Sequence, residues 1–214
     1  MNKPYEEWQT TSISENVYKY LKKGILQGEL PAGHRLIIME IANQFGISQA
    51  PVREALERLK HEGLITGKPN KGSVVSEITP KQIVDVYVLR ELLEVFAVKE
   101  TLKTLNQNDI GYLKQIVRDM EQAVREQDAL RIVELDLDFH GYFFKRCNNH
   151  VVFYMWNHMK NIIMRFMSRD NRTYNIETLP EAHNLLIETL IRGNHAEIEK
   201  TFTDHMKSYK YKGL

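Results

Sequence analysis

The sequence predicts a mainly α protein in two parts: an N-terminal winged helix-turn-helix over residues 1–78 and a C-terminal all-α bundle of about six helices over residues 79–214. Three observations carry this expectation. Two short amphipathic segments flank Gly46 and are followed by two β-prone runs around a basic tip, Lys68-Pro69-Asn70-Lys71-Gly72. Beyond Pro80 the apolar residues recur at helical spacing and leave no convincing strand. The polar breaks between those segments carry residues suited to helix starts.

Residues 1–11 are expected to form a loose arm; they are polar and lack the apolar centre of a signal peptide. Ser12-Ile13-Ser14-Glu15 has the form of a capping box and opens a helix with Ile13, Val17, Leu21 and Ile25 on one face. Gly28 ends it, and Leu30-Pro31-Ala32-Gly33 makes a turn. Arg35, just beyond, is either a phosphate contact or a solvated surface charge. A short helix, Ile41 to Phe45, stops at Gly46, and Ile47 plugs the turn. Ser48 is placed to cap a second helix with Pro51 in its first turn. That helix buries Val52, Ala55, Leu56 and Leu59, while Gln49, Arg53 and Lys60 share another face, and Gly63 ends it. Two helices joined through a glycine turn make a helix-turn-helix whose second helix reads DNA. The alternative for Arg53 is a surface ion pair with Glu57 at i+4. Leu64-Ile65-Thr66 and Ser73-Val74-Val75 read as the strands of a wing, with Gly72 allowing a tight tip and Lys71 supplying charge. The alternative for that tip is a plain connecting turn.

Thr79-Pro80-Lys81-Gln82 again has capping-box form with Pro at the first helical position. Helical patterns then run over about 80–104, 108–126, 129–146, 150–168, 179–192 and 195–210, with starts at Asn106 or Asn108, Asp128, Asn149, Thr178 and Asn194. Ser168 to Glu177 is the longest loop. Six such helices can bury their apolar stripes only against one another.

Composition narrows the function. The chain has 214 residues, 43% apolar, and a net charge of +1; residues 1–78 hold ten Lys and Arg against nine Asp and Glu. A DNA site must therefore be a local patch, which argues against non-specific binding and leaves specific readout intact. The single Cys147 cannot form an intramolecular disulfide and fits a reducing, cytoplasmic setting. No apolar run approaches the roughly 18 residues of a membrane span, so no membrane partner is expected.

In the bundle, ionisable residues stand where apolar ones belong. Asp136 and His140 are four apart on a stripe with Ile132, Phe143 and Cys147. His183 shares a face with Leu186, Ile187 and Leu190, and His205 with Ile198, Phe202 and Tyr209. A single inward histidine is ordinarily satisfied by a backbone carbonyl. Four inward groups on three helices ask for a common reason, and one Asp with three His suits a divalent transition metal, zinc by choice, with nickel or manganese also acceptable. His34 and His61 fall in the DNA-binding half, and His150 and His195 at helix starts; His158 is the rival ligand, given a structural or pocket-lining role. Arg90 lies on an inward face with Ile83, Val86, Tyr87, Glu94 and Ala97, where it either pairs with Glu94 or meets a ligand.

The segments LPAGHRL and IANQFGISQAPVREALERLKHEGLI and the NKG tip resemble the DNA-binding domain of the GntR family of bacterial transcription regulators, over about residues 12 to 77. The resemblance implies that the start of the second helix, with Ser48, Gln49, Pro51 and Arg53, enters the major groove. It implies that the wing, with Asn70, Lys71 and Gly72, approaches the minor groove. Many members have Arg where this chain has Gln49; Arg prefers guanine, whereas Gln can pair with adenine. Residues 80–210 resemble the FCD domain, the helical effector-binding domain of one large GntR subfamily. Many FCD members carry Asp, His four later, and one His on each of the last two helices; Asp136, His140, His183 and His205 fill those positions. Arg90 matches a position that such domains use in their effector pocket. The implied protein is a transcription regulator that binds double-stranded operator DNA as a homodimer. Its effector would be a small organic acid held by the metal and by Arg90. Two other readings stand beside it. One is a metal-dependent enzyme fused to a DNA-binding domain, although the chain has no HExxH and Glu94 is the only inward carboxylate to serve as base. The other is a sensor of the metal itself.

Overall fold

A computed structural model describes residues 12–68, 72–169 and 176–210. The arm at 1–11, the tip residues Asn70 and Lys71, and most of the loop expected at 168–177 lie outside the described residues. Contacts divide the chain into two compact units, Met1–Ile78 and Thr79–Leu214.

The first unit starts with α1, Ile13–Leu26, capped by the Ser12 hydroxyl, which accepts the Glu15 N–H at 3.2 Å. Val17, Tyr18, Leu21 and Ile25 are buried, while Ile13 stays half exposed. Helix α2, Ile38–Phe45, begins three residues before its expected start. Its N-cap is Ile37, which offers no polar side chain, so no start signal was written there. Gly46 ends it at φ 65°, and the Ile47 N–H closes on the Ala42 carbonyl. Helix α3, Gln49–His61, buries the four expected apolar residues. Ser48 occupies the N-cap position, but its side chain makes no capping hydrogen bond, which corrects the expectation in part.

Three short strands follow the order β1-β3-β2, all antiparallel: β1 Arg35–Leu36, β2 Ile65–Lys68 and β3 Gly72–Val75. The wing hairpin was expected; β1 was not, because two residues carry no period. Arg35 pairs with Val74 and is exposed. Helix α1 holds α3 from behind. Arg58 bonds Glu15 at 2.6 Å and stacks 3.8 Å over the Tyr18 ring, while Glu62 accepts from Lys22 at 2.6 Å and from the Tyr18 hydroxyl. These contacts occupy the inner charges of α3 and leave Gln49 and Arg53 on its exposed side.

The second unit has six α-helices among its described residues: α4 Pro80–Leu102, α5 Gln107–Arg125, α6 Ala129–Arg146, α7 His150–Arg169, α8 Leu179–Arg192 and α9 His195–Lys210. Thr79 with Gln82 and Asn106 with Asp109 form complete capping boxes, and Asp128, Asn149 and Asn194 accept first-turn N–H groups. Thr178 does not cap α8; a 3-10 turn, Ile176–Thr178, runs straight into that helix, so Thr178 already has helical backbone angles. Helix α6 is central and touches α4, α5 and α7. Its Phe144 stacks on Trp156 of α7 at 4.4 Å and 12°. Gly141 makes room for that tryptophan: a Cβ there would lie 2.8 Å from Trp156 Nε1.

Candidate metal centre and nucleic-acid interface

Helical spacing puts Asp136 and His140 on one side of α6, and the packing of α8 and α9 brings His183 and His205 to meet them. Asp136, His140 and His183 are fully buried, and His205 is 9% exposed. One ligand atom from each of the four lies within 4.8 Å of all the others. His140 Nε2 is 3.2 Å from His183 Nε2 and 3.3 Å from His205 Nε2. Asp136 Oδ1 is 3.3 Å from His183 Nε2 and 3.6 Å from His140 Nε2.

Outer partners decide which nitrogens carry protons. The Leu179 carbonyl, 2.7 Å from His183 Nδ1, can only accept, so Nδ1 donates and a neutral ring keeps its lone pair on Nε2. His140 Nδ1 donates in the same way to a Glu94 carboxylate oxygen. The other Glu94 oxygen accepts from Arg90 Nε at 3.0 Å, and both residues are fully buried. Imidazole lone pairs and a carboxylate oxygen therefore face one small region, an arrangement that a cation relieves. A proton can bridge only one nitrogen pair at a time. Spacings of 3.2–3.6 Å match the edges of a shell around an ion whose ligands stand at about 2.0–2.2 Å, so the donor set fits a divalent transition metal.

Electrostatics follow the same map. Burial pushes the Asp136 carboxyl up, but His140 and His183 outweigh it and hold it well below the usual carboxylate range. Glu94 is likewise lowered by His140 and Arg90 against burial. Burial lowers His140, yet Glu94 leaves it raised overall. His205 is driven well below its ordinary value by burial and then by the neighbouring histidines. Its slight exposure sits in a surface pocket of about 370 Å³ lined by Leu185, Lys200, Asp204 and others.

Among the remaining histidines, His34, His61, His150 and His195 are exposed. His158 is corrected in part: it is exposed on α7 with its ring 5.8 Å from Tyr154 and is not packed inside the bundle. Sequence reasoning saw Glu94 only as a partner for Arg90 or as a base. Its contact with His140, 46 residues away, was missed, and no spacing rule could have found it.

On the first unit, Ser48, Gln49 and Arg53 are exposed and Pro51 is half-buried. Arg53 Nη2 donates to Gln49 Oε1 at 3.0 Å rather than to Glu57, which pairs with Lys60 at 3.7 Å. Gly72 opens β3 at φ 68°, and Arg35 lies across the same strand. Thus the exposed start of α3 and the wing hairpin belong to one compact unit.

Residues 13–75 match the bacterial regulatory proteins of the gntR family, and residues 85–208 match the FCD domain. The chain belongs to the GntR family, FCD type. This regulator is 26% identical over 180 residues to the uncharacterised HTH-type transcriptional regulator YdhC of Bacillus subtilis, with 83% of the chain and 80% of YdhC covered. It is 29% identical over 147 residues to the gluconate operon transcriptional repressor of the same organism, with 69% and 60% covered. Among solved structures, Escherichia coli McbR/YncC aligns with a TM-score of 0.77 at 24% identity over 93% of this chain and 95% of that one, a likeness of fold. The relatives are named regulators, and the enzyme reading falls with them. Both Glu94 oxygens are engaged, one by His140 and one by Arg90.

Proposed function

We propose that this GntR-family regulator is a metabolite-responsive repressor whose grip on operator DNA is set by a small carboxylic acid bound beside a metal in the FCD unit. The observation that carries the reading is the outer hydrogen bonding of His140 and His183, which turns their Nε2 lone pairs toward Asp136 Oδ1. Asp136, His140, His183 and His205 would hold the ion, with zinc the first choice. The ion would supply a concentrated positive charge that a carboxylate can bind. Arg90, whose planar guanidinium suits a carboxylate, would take the ligand's far end. The relative that governs a gluconate operon is named for a sugar acid, which agrees with that ligand class.

Two copies of the chain would bind a palindromic operator, since one recognition helix reads one half-site. Ser48, Gln49, Pro51 and Arg53 would meet the major groove. Asn70, Lys71 and Gly72 would approach the minor groove, and Arg35 a phosphate. Domain roles follow: residues 1–78 read DNA, and residues 79–214 hold metal and effector and pair the copies.

The test measures metal content in protein purified without added metal, then titrates the loaded protein with small carboxylates by calorimetry. His183→Ala should lose metal and thermal stability together, whereas Arg90→Ala should keep the metal and weaken the acid. A full metal complement in His183→Ala, with acid binding unchanged in both variants, would overturn the reading.

A further inference from the structure

A cleft of about 580 Å³, within the size range of small-molecule sites, lies where α5, α6 and α7 meet. From α6 it takes Asp138, Gly141, Tyr142 and Lys145. Their i, i+3, i+4, i+7 spacing makes one stripe, on the side of the helix opposite Asp136 and His140. Trp156 of α7 stands at its base and is only 2% exposed. An indole Nε1–H can only donate, and a buried one ordinarily finds an acceptor. This one has no hydrogen-bond partner among the described residues. It borders the space that Gly141 leaves open, where a Cβ would lie 2.8 Å from Nε1.

The charges around that donor lean positive. Lys145 stands one turn from Gly141 along α6, and Lys160 one turn from Trp156 along α7. The two helices are joined through residues 147–149 and pack as antiparallel neighbours, so the lysines flank the indole from opposite ends. Neither lysine is in an ion pair among the described residues, although the charge of Lys160 acts on Asp138. Arg146 is already paired with Asp109 at 3.0 Å. Two open ammonium groups against the one carboxylate of Asp138 leave +1, which suits a single negative charge and opposes a second. The remaining wall is aromatic. Tyr112 and Tyr142 have ring centroids 5.4 Å apart, and Tyr112 is 53% exposed. Open ring faces of this kind take a flat apolar partner.

We propose that this cleft is a second small-molecule site, for a planar aromatic monocarboxylate. The carboxylate accepts from Trp156 Nε1 and lies between Lys145 and Lys160, and the ring packs along Tyr112 and Tyr142. The site needs neither the metal nor Arg90, so it stands apart from the effector site proposed above.

The test titrates the full chain, as purified, with naphthoate and follows the Trp156 indole N–H by proton–nitrogen NMR, its peak assigned through Trp8→Phe. The Trp156 ring is 5.5 Å from the Arg90 guanidinium, so the peak can respond from either side, and the lysines tell the two apart. A saturable shift is expected. Affinity should fall at least tenfold in the double variant Lys145→Gln, Lys160→Gln, whose melting curve should match the parent's. It should be at least tenfold weaker for naphthamide, which lacks the charge, and for acetate, which lacks the ring. No saturable shift up to the solubility limit of naphthoate would overturn the site. Unchanged affinity in the lysine variant would put the ligand on the Arg90 side and overturn it equally. Naphthamide or acetate binding as tightly as naphthoate would remove the ligand class and the proposal with it.

Discussion

Each half of this regulator is organised around an arginine bonded to a side chain four residues away at 3.0 Å: Arg53 to Gln49 in the reader, and Arg90 to Glu94 in the bundle. The spacing and distance are the same, but the physics differs. Arg53 is exposed, so water supports its charge and the bond serves mainly to orient the two side chains. Arg90 is fully buried, so its charge needs compensation, to which the Glu94 carboxylate beside it and the Trp156 ring 5.5 Å away contribute. The first pair is adjustable surface, open to an incoming partner. The second is built into the core and supports His140 as it does so.

The comparison breaks most sharply under truncation. Glu94→Ala leaves a buried guanidinium without its carboxylate and should destabilise the bundle by about 3–5 kcal/mol. Arg53→Ala should change stability by no more than about 0.5 kcal/mol. Denaturant unfolding checks both, and equal losses would erase the contrast. Next in size is the metal. At an ion concentration about 100-fold above its Kd, binding adds about 2.7 kcal/mol, and His183→Ala should forfeit it, read as a melting shift that vanishes on chelation.

Glu94→Gln is a gentler probe. It keeps the shape but weakens the hold on His140, and should reduce metal affinity about 10- to 100-fold, measured by competition with a chromogenic chelator. On the reader, Arg53→Ala should weaken operator binding in an anisotropy titration without altering the melt. Lys71→Ala should lower affinity on many sequences alike and reduce the salt slope by about one.

The smallest effect is in pH. His205 is held low, so its contribution to stability is present above its ordinary value of 6.5 and drains as pH falls. His140 is held high, so its contribution is complete below 6.5 and is lost as pH rises through its folded value. Asp136 and Glu94, both lowered, lose theirs only at more acid pH. In chelator-treated protein, His205→Asn should therefore flatten the fall in melting temperature between about pH 6.5 and 5. An unchanged slope would assign that fall to other groups.

Much of this was legible in the chain because it is local. Gly46 and Gly63 punctuate the reader, and Thr79 with Gln82 writes a helix start. Asp136 and His140 interrupt an apolar stripe at i,i+4, so the pattern exposes them. What was not legible depends on neighbours distant in sequence or on signals too short to repeat. Arg53 has polar residues at both i−4 and i+4, and spacing cannot choose between Gln49 and Glu57. His158 reads as a rival ligand or a structural residue from its helix position, but spacing gives an angle and not what packs there. Strand β1 exists only because β3 lies alongside it.

The glycine after His140 has a consequence of its own. Gly141 lets α6 approach the nitrogen edge of Trp156, whose ring stacks on Phe144. One added methyl at that position would lie 2.8 Å from the indole nitrogen, so either the ring or the helix must shift. Asp136 and His140 ride on that helix as one rigid piece, whereas His183 and His205 are anchored on α8 and α9. Where the helix gives, the smallest possible enlargement, at a residue that supplies none of the four ligands, slides half of the cluster past the other half. The tolerance of this centre is therefore tied to the close approach of Gly141 to Trp156.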